Sequence, residues 1–237
     1  MRLKEFLSVR GIEFESINIL EDAVGRAELQ RLGARSIPIL SRGDEFVFAQ
    51  NIAQVVAFLK LNEKAGPVLT PVQLYGRMQL YIDAALRMIP QMPDEQLETL
   101  TPGRPRTYAR LAHHMFRICE AFTEVAGGKF FANAMPGEVH DPAEMVSTAA
   151  LAAYGTRVKA KVENWWATTQ DKDAQAEVDT YYGRQKLHEV FERATWHIGQ
   201  HTRQWVMLLG MHGIAADRPL SDADFADLPM PKQVWDG

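Results

Sequence analysis

Residues 183–213 read GRQKLHEVFERATWHIGQHTRQWVMLLGMHG. Apolar side chains recur at Leu187, Phe191, Ala194, Ile198, Trp205 and Leu208. At about 100° per residue they share one face of a helix. The helix is expected from about Gly183 to Met211, and Gly213 supplies a stop. A helix this long, apolar on one stripe only, buries that stripe against other helices. His197 and His201 lie four residues apart, so their side chains stand one above the other. His201 falls within the stripe and His197 at its edge, which points both inward or into a pocket. His188 falls on a flank and is the weaker candidate.

Upstream, three more long helical patterns appear. One runs from Pro71 to Pro90, with Thr70 as N-cap and Pro71 at the first helical position. The next runs from Pro105 to Val125 and ends at Gly127-Gly128. The third runs from Pro142 to Thr168 with Asp141 as N-cap, after an irregular loop from Phe130 to His140. Four such helices predict a helix bundle. On the 105–125 helix the stripe is Leu111, Met115, Ile118, Phe122 and Val125. His114 lies roughly 60° from its centre, and His113 points nearly the opposite way. Three inward imidazoles on two helices would suit a divalent zinc, nickel or iron ion and leave a coordination position open. Taken singly, an inward histidine is more often a hydrogen-bonded core group, and both readings stand at this level.

Before residue 65 the elements are short. We expect helices at 2–9, 21–32 and 52–61, and strands at 13–20, 37–40 and 45–48, the last two joined by Arg42-Gly43-Asp44. Glu63-Lys64-Ala65-Gly66-Pro67 reads as a linker. The expected organisation is a small domain over 1–63, a linker over 64–69, and a helix bundle with a C-terminal tail over 70–237. The class is α+β, mostly α.

A net charge of −4 argues against a nucleic-acid surface. One cysteine, Cys119, excludes an intrachain disulfide framework and points to a reducing compartment. No stretch approaches the about 18–20 apolar residues of a membrane span, and no secretory signal is visible. The expectation is a soluble, cytoplasmic protein.

Residues 70–237 resemble the DinB-like metal-binding bundle family. Leu111-Ala112-His113-His114 and the run His197-Ile198-Gly199-Gln200-His201-Thr202-Arg203-Gln204 carry the resemblance, with Trp205–Leu209 and Gly213 at the family spacing. Arg203 stands where that family has a small residue, and either binds an anionic substrate or faces solvent. The family implies a divalent metal on His114, His197 and His201 and, in several members, activation of a low-molecular-weight thiol. Pairing into a homodimer is also common there.

Residues 2–61 resemble the glutaredoxin branch of the thioredoxin-like fold through GIEFESINI, LGARSIPIL and GDEFVFAQN. Ser36-Ile37-Pro38 falls where that family has its cis-proline. Its first strand and cysteine-bearing turn are missing, which makes the expected domain incomplete: the chain starts further upstream, another segment fills the gap, or the sheet is rearranged. Ala49-Gln50-Asn51 replaces its Gly-Gly step. The resemblance implies glutathione binding by Ile37 and Pro38, with Gln50 and Asn51 on the γ-glutamyl end. Asn51 is also the expected N-cap of the next helix. Together the resemblances imply a glutathione-dependent, metal-assisted transferase or isomerase acting on a small molecule. The rivals are a non-catalytic metal-binding stress-response or interaction module and a hydrolase using metal-activated water. Among the remaining residues, Cys119 reads as core, Trp165-Trp166 and Tyr181-Tyr182 as packing, and Glu120 and Glu192 as solvated. His140 could reach a site only if its loop folds over it.

Overall fold

The computed structural model describes residues 2–9, 11–19, 21–50, 52–62, 66–103, 105–231 and 233–235. The chain divides into two compact units, Met1–Gly66 and Pro67–Gly237. The described residues form a mostly helical α+β protein.

The first unit holds α1 (Arg2–Val9), α2 (Ala23–Arg31), β1 (Ile39–Arg42), β2 (Glu45–Phe48) and α3 (Ile52–Phe58). Asp22 caps α2 by accepting the Gly25 N–H at 2.9 Å. β1 and β2 pair antiparallel, Ile39 opposite Phe48 and Arg42 opposite Glu45. Gly43, at φ 62°, makes the turn between them. Arg31 ties α2 to that turn through Asp44 at 2.6 Å. Leu7, Ala49, Val55 and Val56 are buried. The predicted strand at 13–20 does not form. Its described residues are mostly exposed and form no regular element, with a turn at Ile19, and no strand among the described residues pairs with them. An extended segment becomes a strand only when a neighbour takes its N–H and C=O groups. β1 begins two residues later than expected, after Pro38. Residues 63–65 of the expected linker lie outside the described residues.

The second unit is built on α4 (Pro71–Met88), α5 (Tyr108–Ala126), α6 (Thr148–Thr168) and α7 (Leu187–Met211). Thr70 and Gln73 form a reciprocal capping box at the start of α4. Thr107 caps α5, and the chain leaves it at Gly127 and Gly128. α4 packs on α6 and α7, and α5 packs on α6 and α7. Phe122 of α5 stacks on Phe191 of α7 at 4.5 Å. The Trp205 indole N–H donates to the Met88 carbonyl at 3.1 Å, closing α7 on α4.

Two boundaries differ from expectation. α6 starts at Thr148, capped by Ser147, while Asp141 caps a separate 3-10 turn, Pro142–Met145. α7 starts at Leu187 because residues 183–186 pair as β4 (Gly183–Lys186) with β3 (Glu177–Thr180). That hairpin turns at Tyr181-Tyr182, with Gly183 at φ 105°.

Close packing of α5 on α6 has a measurable consequence. A Cβ on Gly155 of α6 would lie 2.3 Å from the ring tip of Phe116, itself fully buried on α5. Gly155→Ala is expected to cost about 1–3 kcal/mol in urea denaturation. Adding Phe116→Leu should recover part of the loss. An unchanged urea midpoint for Gly155→Ala would contradict this packing.

Candidate metal centre

α5 and α7 lie side by side, so His114 meets His197 and His201 across their interface. One nitrogen from each of the three rings lies within 4.8 Å of the others. Ring centroids are 5.2 Å apart for His114 and His197, 5.0 Å for His114 and His201, and 4.8 Å for His197 and His201. Nitrogens about 2.0–2.1 Å from a zinc ion are ~3.3 Å apart, so small ring rotations would close the set on one ion.

The far side of two rings is held. His114 Nδ1 lies 2.5 Å from the carbonyl oxygen of Pro136. A carbonyl only accepts, so Nδ1 carries the proton and Nε2 the lone pair. His201 Nδ1 lies 2.6 Å from Gln204 Oε1. The amide orientation follows from its other end, where Gln204 Nε2 donates to the Val234 carbonyl at 3.1 Å. His201 therefore also presents Nε2. Such partners fix ring orientation and raise the basicity of the donor nitrogen.

Burial and nearby positive charge keep His114 and His197 neutral, the form a metal requires. Burial, then Arg106, pushes His114 down to about 4. Burial, then His201 and His114, hold His197 well below the usual histidine range. The sign of the stability effect follows. Below pH 6.5 the unfolded chain protonates these rings while the folded chain resists. Stability is then fully present above about pH 6.5 and is lost as pH falls towards 4. The slope is about 1.4 kcal/mol per pH unit for each ring. Urea midpoints of metal-free protein should fall steadily between pH 7 and 5; a flat series would contradict neutral burial.

Beside His197 lies a small cleft with room for little more than one water molecule. Ile118, Phe122, Phe131, Val190, Ala194 and Arg193 line it. The loop after α5 forms one wall, because Phe131 pairs with the β3 end: its N–H donates to the Asp179 carbonyl at 3.0 Å.

Other candidates sit elsewhere. In the first unit the Ile37-Pro38 peptide is cis, Ile37 is 49% exposed, and Gln50 Nε2 donates to the Ile37 carbonyl at 3.1 Å. Asn51, with its expected capping role, lies outside the described residues. Arg203 does not line the cleft: half-buried, it donates to Gln200 Oε1 at 2.9 Å and to the Pro231 carbonyl at 2.7 Å. It is spent on holding the C-terminal tail to α7. His140 stays exposed beside Glu138. His188 donates to the Leu69 carbonyl at 2.8 Å. Cys119 is buried, which pushes its thiol up.

Two expectations are corrected. Glu120 and Glu192 are buried rather than solvated, and His113, on the side of α5 away from the stripe, is only 2% exposed. For His113 and Glu120 the reason is that α6 covers this second face of α5. His113 stacks on Tyr154 at 4.6 Å and bonds Glu144 at 3.3 Å. Glu120 accepts from the Tyr154 hydroxyl at 2.8 Å and from Lys161. Burial acts to raise the Glu120 carboxyl, but Lys161 and Tyr154 outweigh it and hold it below the usual range.

Sequence reading missed the Pro136 carbonyl, Arg193 and the buried Arg117. Arg193 was within reach, since it lies four residues before His197 on the same helix.

No protein-family model matches the chain, and no curated protein matches it. Among solved structures, a DinB-like protein from Bacillus cereus ATCC 10987 is similar, with TM-score 0.47 and 20% identity over 58% of this chain and 89% of that one. No helix among the described residues is long and apolar enough to cross a membrane.

Proposed function

We propose that this chain holds a divalent transition-metal ion on His114, His197 and His201, within a DinB-like four-helix bundle formed by α4 to α7. The observation that carries this reading is the approach of three imidazole nitrogens to within 4.8 Å, with two rings held by outside acceptors. A neutral all-nitrogen donor set fits zinc, nickel or iron and leaves a coordination position for a substrate. An ion there would supply Lewis acidity, lowering the pKa of water or a thiol at that position. The chain's own part is to fix the ring tautomers through Pro136 and Gln204 and to shape the apolar cleft beside His197. Titrating chelator-stripped protein with Zn²⁺ or Ni²⁺ in a calorimeter should give one ion per chain. Binding no tighter than to an unrelated helical protein would end this reading.

The finer reading is a glutathione-dependent transferase or isomerase. Its support is the vacant coordination position such a donor set leaves and the half-exposed Ile37 beside Gln50. Glutathione titrated into metal-loaded protein should release or absorb measurable heat. A silent titration would remove the thiol half and leave the metal site standing.

A further inference from the structure

The described residues of the C-terminal segment, 231 and 233–235, are held to one turn of α7 through their backbone carbonyls. Arg203 donates to the Pro231 carbonyl at 2.7 Å. Gln200 Nε2 donates to the Gln233 carbonyl at 3.2 Å and to the Val234 carbonyl at 2.7 Å. Gln204 Nε2 donates to the same Val234 oxygen at 3.1 Å. At the far end the Trp235 indole N–H donates to the Pro102 carbonyl. One of these bonds continues into the histidine cluster. The other end of the Gln204 amide, Oε1, lies 2.6 Å from His201 Nδ1. The two ends of a primary amide are nearly equal in shape and opposite in hydrogen-bonding role. With Oε1 towards the ring, Nδ1 carries the proton and Nε2 keeps its lone pair. With the amide turned over, Nδ1 must accept, so the proton of the neutral ring sits on Nε2 and that nitrogen has no pair for an ion. His201 can meet either end, so its own bond does not choose between them. The Val234 carbonyl does choose, because it only accepts. Turned over, Gln204 would set Oε1 against that oxygen and leave a buried acceptor without a donor, which is costly. Gln204 is only 9% exposed, which leaves water little room to take the donor's place.

We infer that the C-terminal segment is a positioning strap for the histidine cluster: through the Val234 carbonyl and Gln204 it fixes the His201 tautomer whose Nε2 is free for an ion. Gln204 is the positioning residue, and Gln200 and Trp235 keep the strap seated. This inference rests on the metal-site reading for its consequence. The tautomer itself is a property of the metal-free chain, so the two are tested apart.

Nitrogen NMR of histidine-labelled, metal-free protein at slightly alkaline pH reads the tautomer, and Zn²⁺ titration against a competing chelator reads the affinity. Wild type should show His201 protonated on Nδ1 and bare on Nε2. Gln200→Ala combined with Trp235→Ala unseats the strap and should give a mixture of both tautomers. Zinc affinity should then fall at least about twofold, the factor for a ring shared equally between a competent and an incompetent form. Gln204→Leu removes the orienting group altogether and should cost about 10–100-fold. Gln204→Glu added to the unseated variant should restore one tautomer and the lost affinity, because a carboxylate can only accept from Nδ1–H and needs no strap to orient it. A merely structural role of the strap would give no such rescue. A single Nδ1–H tautomer in the unseated variant overturns the inference, and so does a loss of affinity that Gln204→Glu leaves in place. If the unseated variant does not fold, wild type decides: the side-chain amide protons of Gln204 must exchange with solvent more slowly than those of exposed Gln233, and equal rates overturn the inference. Strap-dependent tautomers in a protein that binds no zinc would support the strap and end the metal reading. One zinc per chain in a wild type that already shares both tautomers would do the reverse.

Discussion

His201→Ala is expected to abolish stoichiometric metal binding while leaving the fold intact. His201 is the most buried of the three rings, and its Nδ1–H is already committed to Gln204. Its Nε2 is therefore the nitrogen available to an ion, and no other described His, Cys, Asp or Glu joins the cluster to replace it. Removing a partner that only orients a ligand costs 10–100-fold in affinity; removing the ligand itself should cost more. Elemental analysis after dialysis against a weak chelator should give about one ion per chain for wild type and a trace for the variant. His140→Ala is the control, because His140 is exposed and away from the cluster. It should keep the full ion content. Full occupancy in His201→Ala would break the ligand assignment. A void is also left between α5 and α7, so some loss of stability accompanies the loss of metal. Measuring unfolding of both metal-free proteins separates that loss from the effect on binding.

Arg117→Met should produce the largest loss of stability of any single change considered. The Arg117 side chain has no exposed surface. It pairs with Glu124 at 3.0 Å, Glu138 at 3.3 Å and Glu120 at 3.5 Å. Without the guanidinium, three carboxylates face one another around an apolar side chain, and Glu120 is only 6% exposed. Breaking a buried charge group by removing one partner costs about 3–5 kcal/mol. For a unit of this size that is a fall in Tm of roughly 6–20 °C. Thermal and urea unfolding should agree on it. A loss below about 1 kcal/mol would mean that the carboxylates reach water once the arginine is gone. A second effect follows from position. Glu138 comes directly after the turn Met135–Gly137, whose Pro136 carbonyl holds the His114 ring. Loosening the Arg117–Glu138 pair should also weaken metal binding, and a chelator competition would show it.

Residue order alone reached a good part of this protein. The spacing of Leu187, Phe191, Ala194, Ile198, Trp205 and Leu208 placed the long last helix within a few residues of its observed ends, because 3.6-residue periodicity is a local property of the chain. The same periodicity chose His114 over His113 and put His197 and His201 on the inward side. Thr70 before Pro71 marked the start of α4 for an equally local reason. Other features needed the whole unit. The 183–186 segment looks helical in isolation and is a strand because residues 177–180 are there to pair with it. Residues 13–20 alternate like a strand, but no strand among the described residues lies beside the described part to make a ladder with it. A single stripe marks one buried face, but α5 has two, one against α7 and one against α6. That second contact buried His113, which periodicity had pointed away from the stripe, and Glu120, which had been read as solvated. It is also why Arg117 and its carboxylates were invisible beforehand: burial of a charge depends on which neighbour covers it. Helical period thus told which side chains could face a common axis. Packing of one helix against two partners settled which polar groups sit in water and which must find each other.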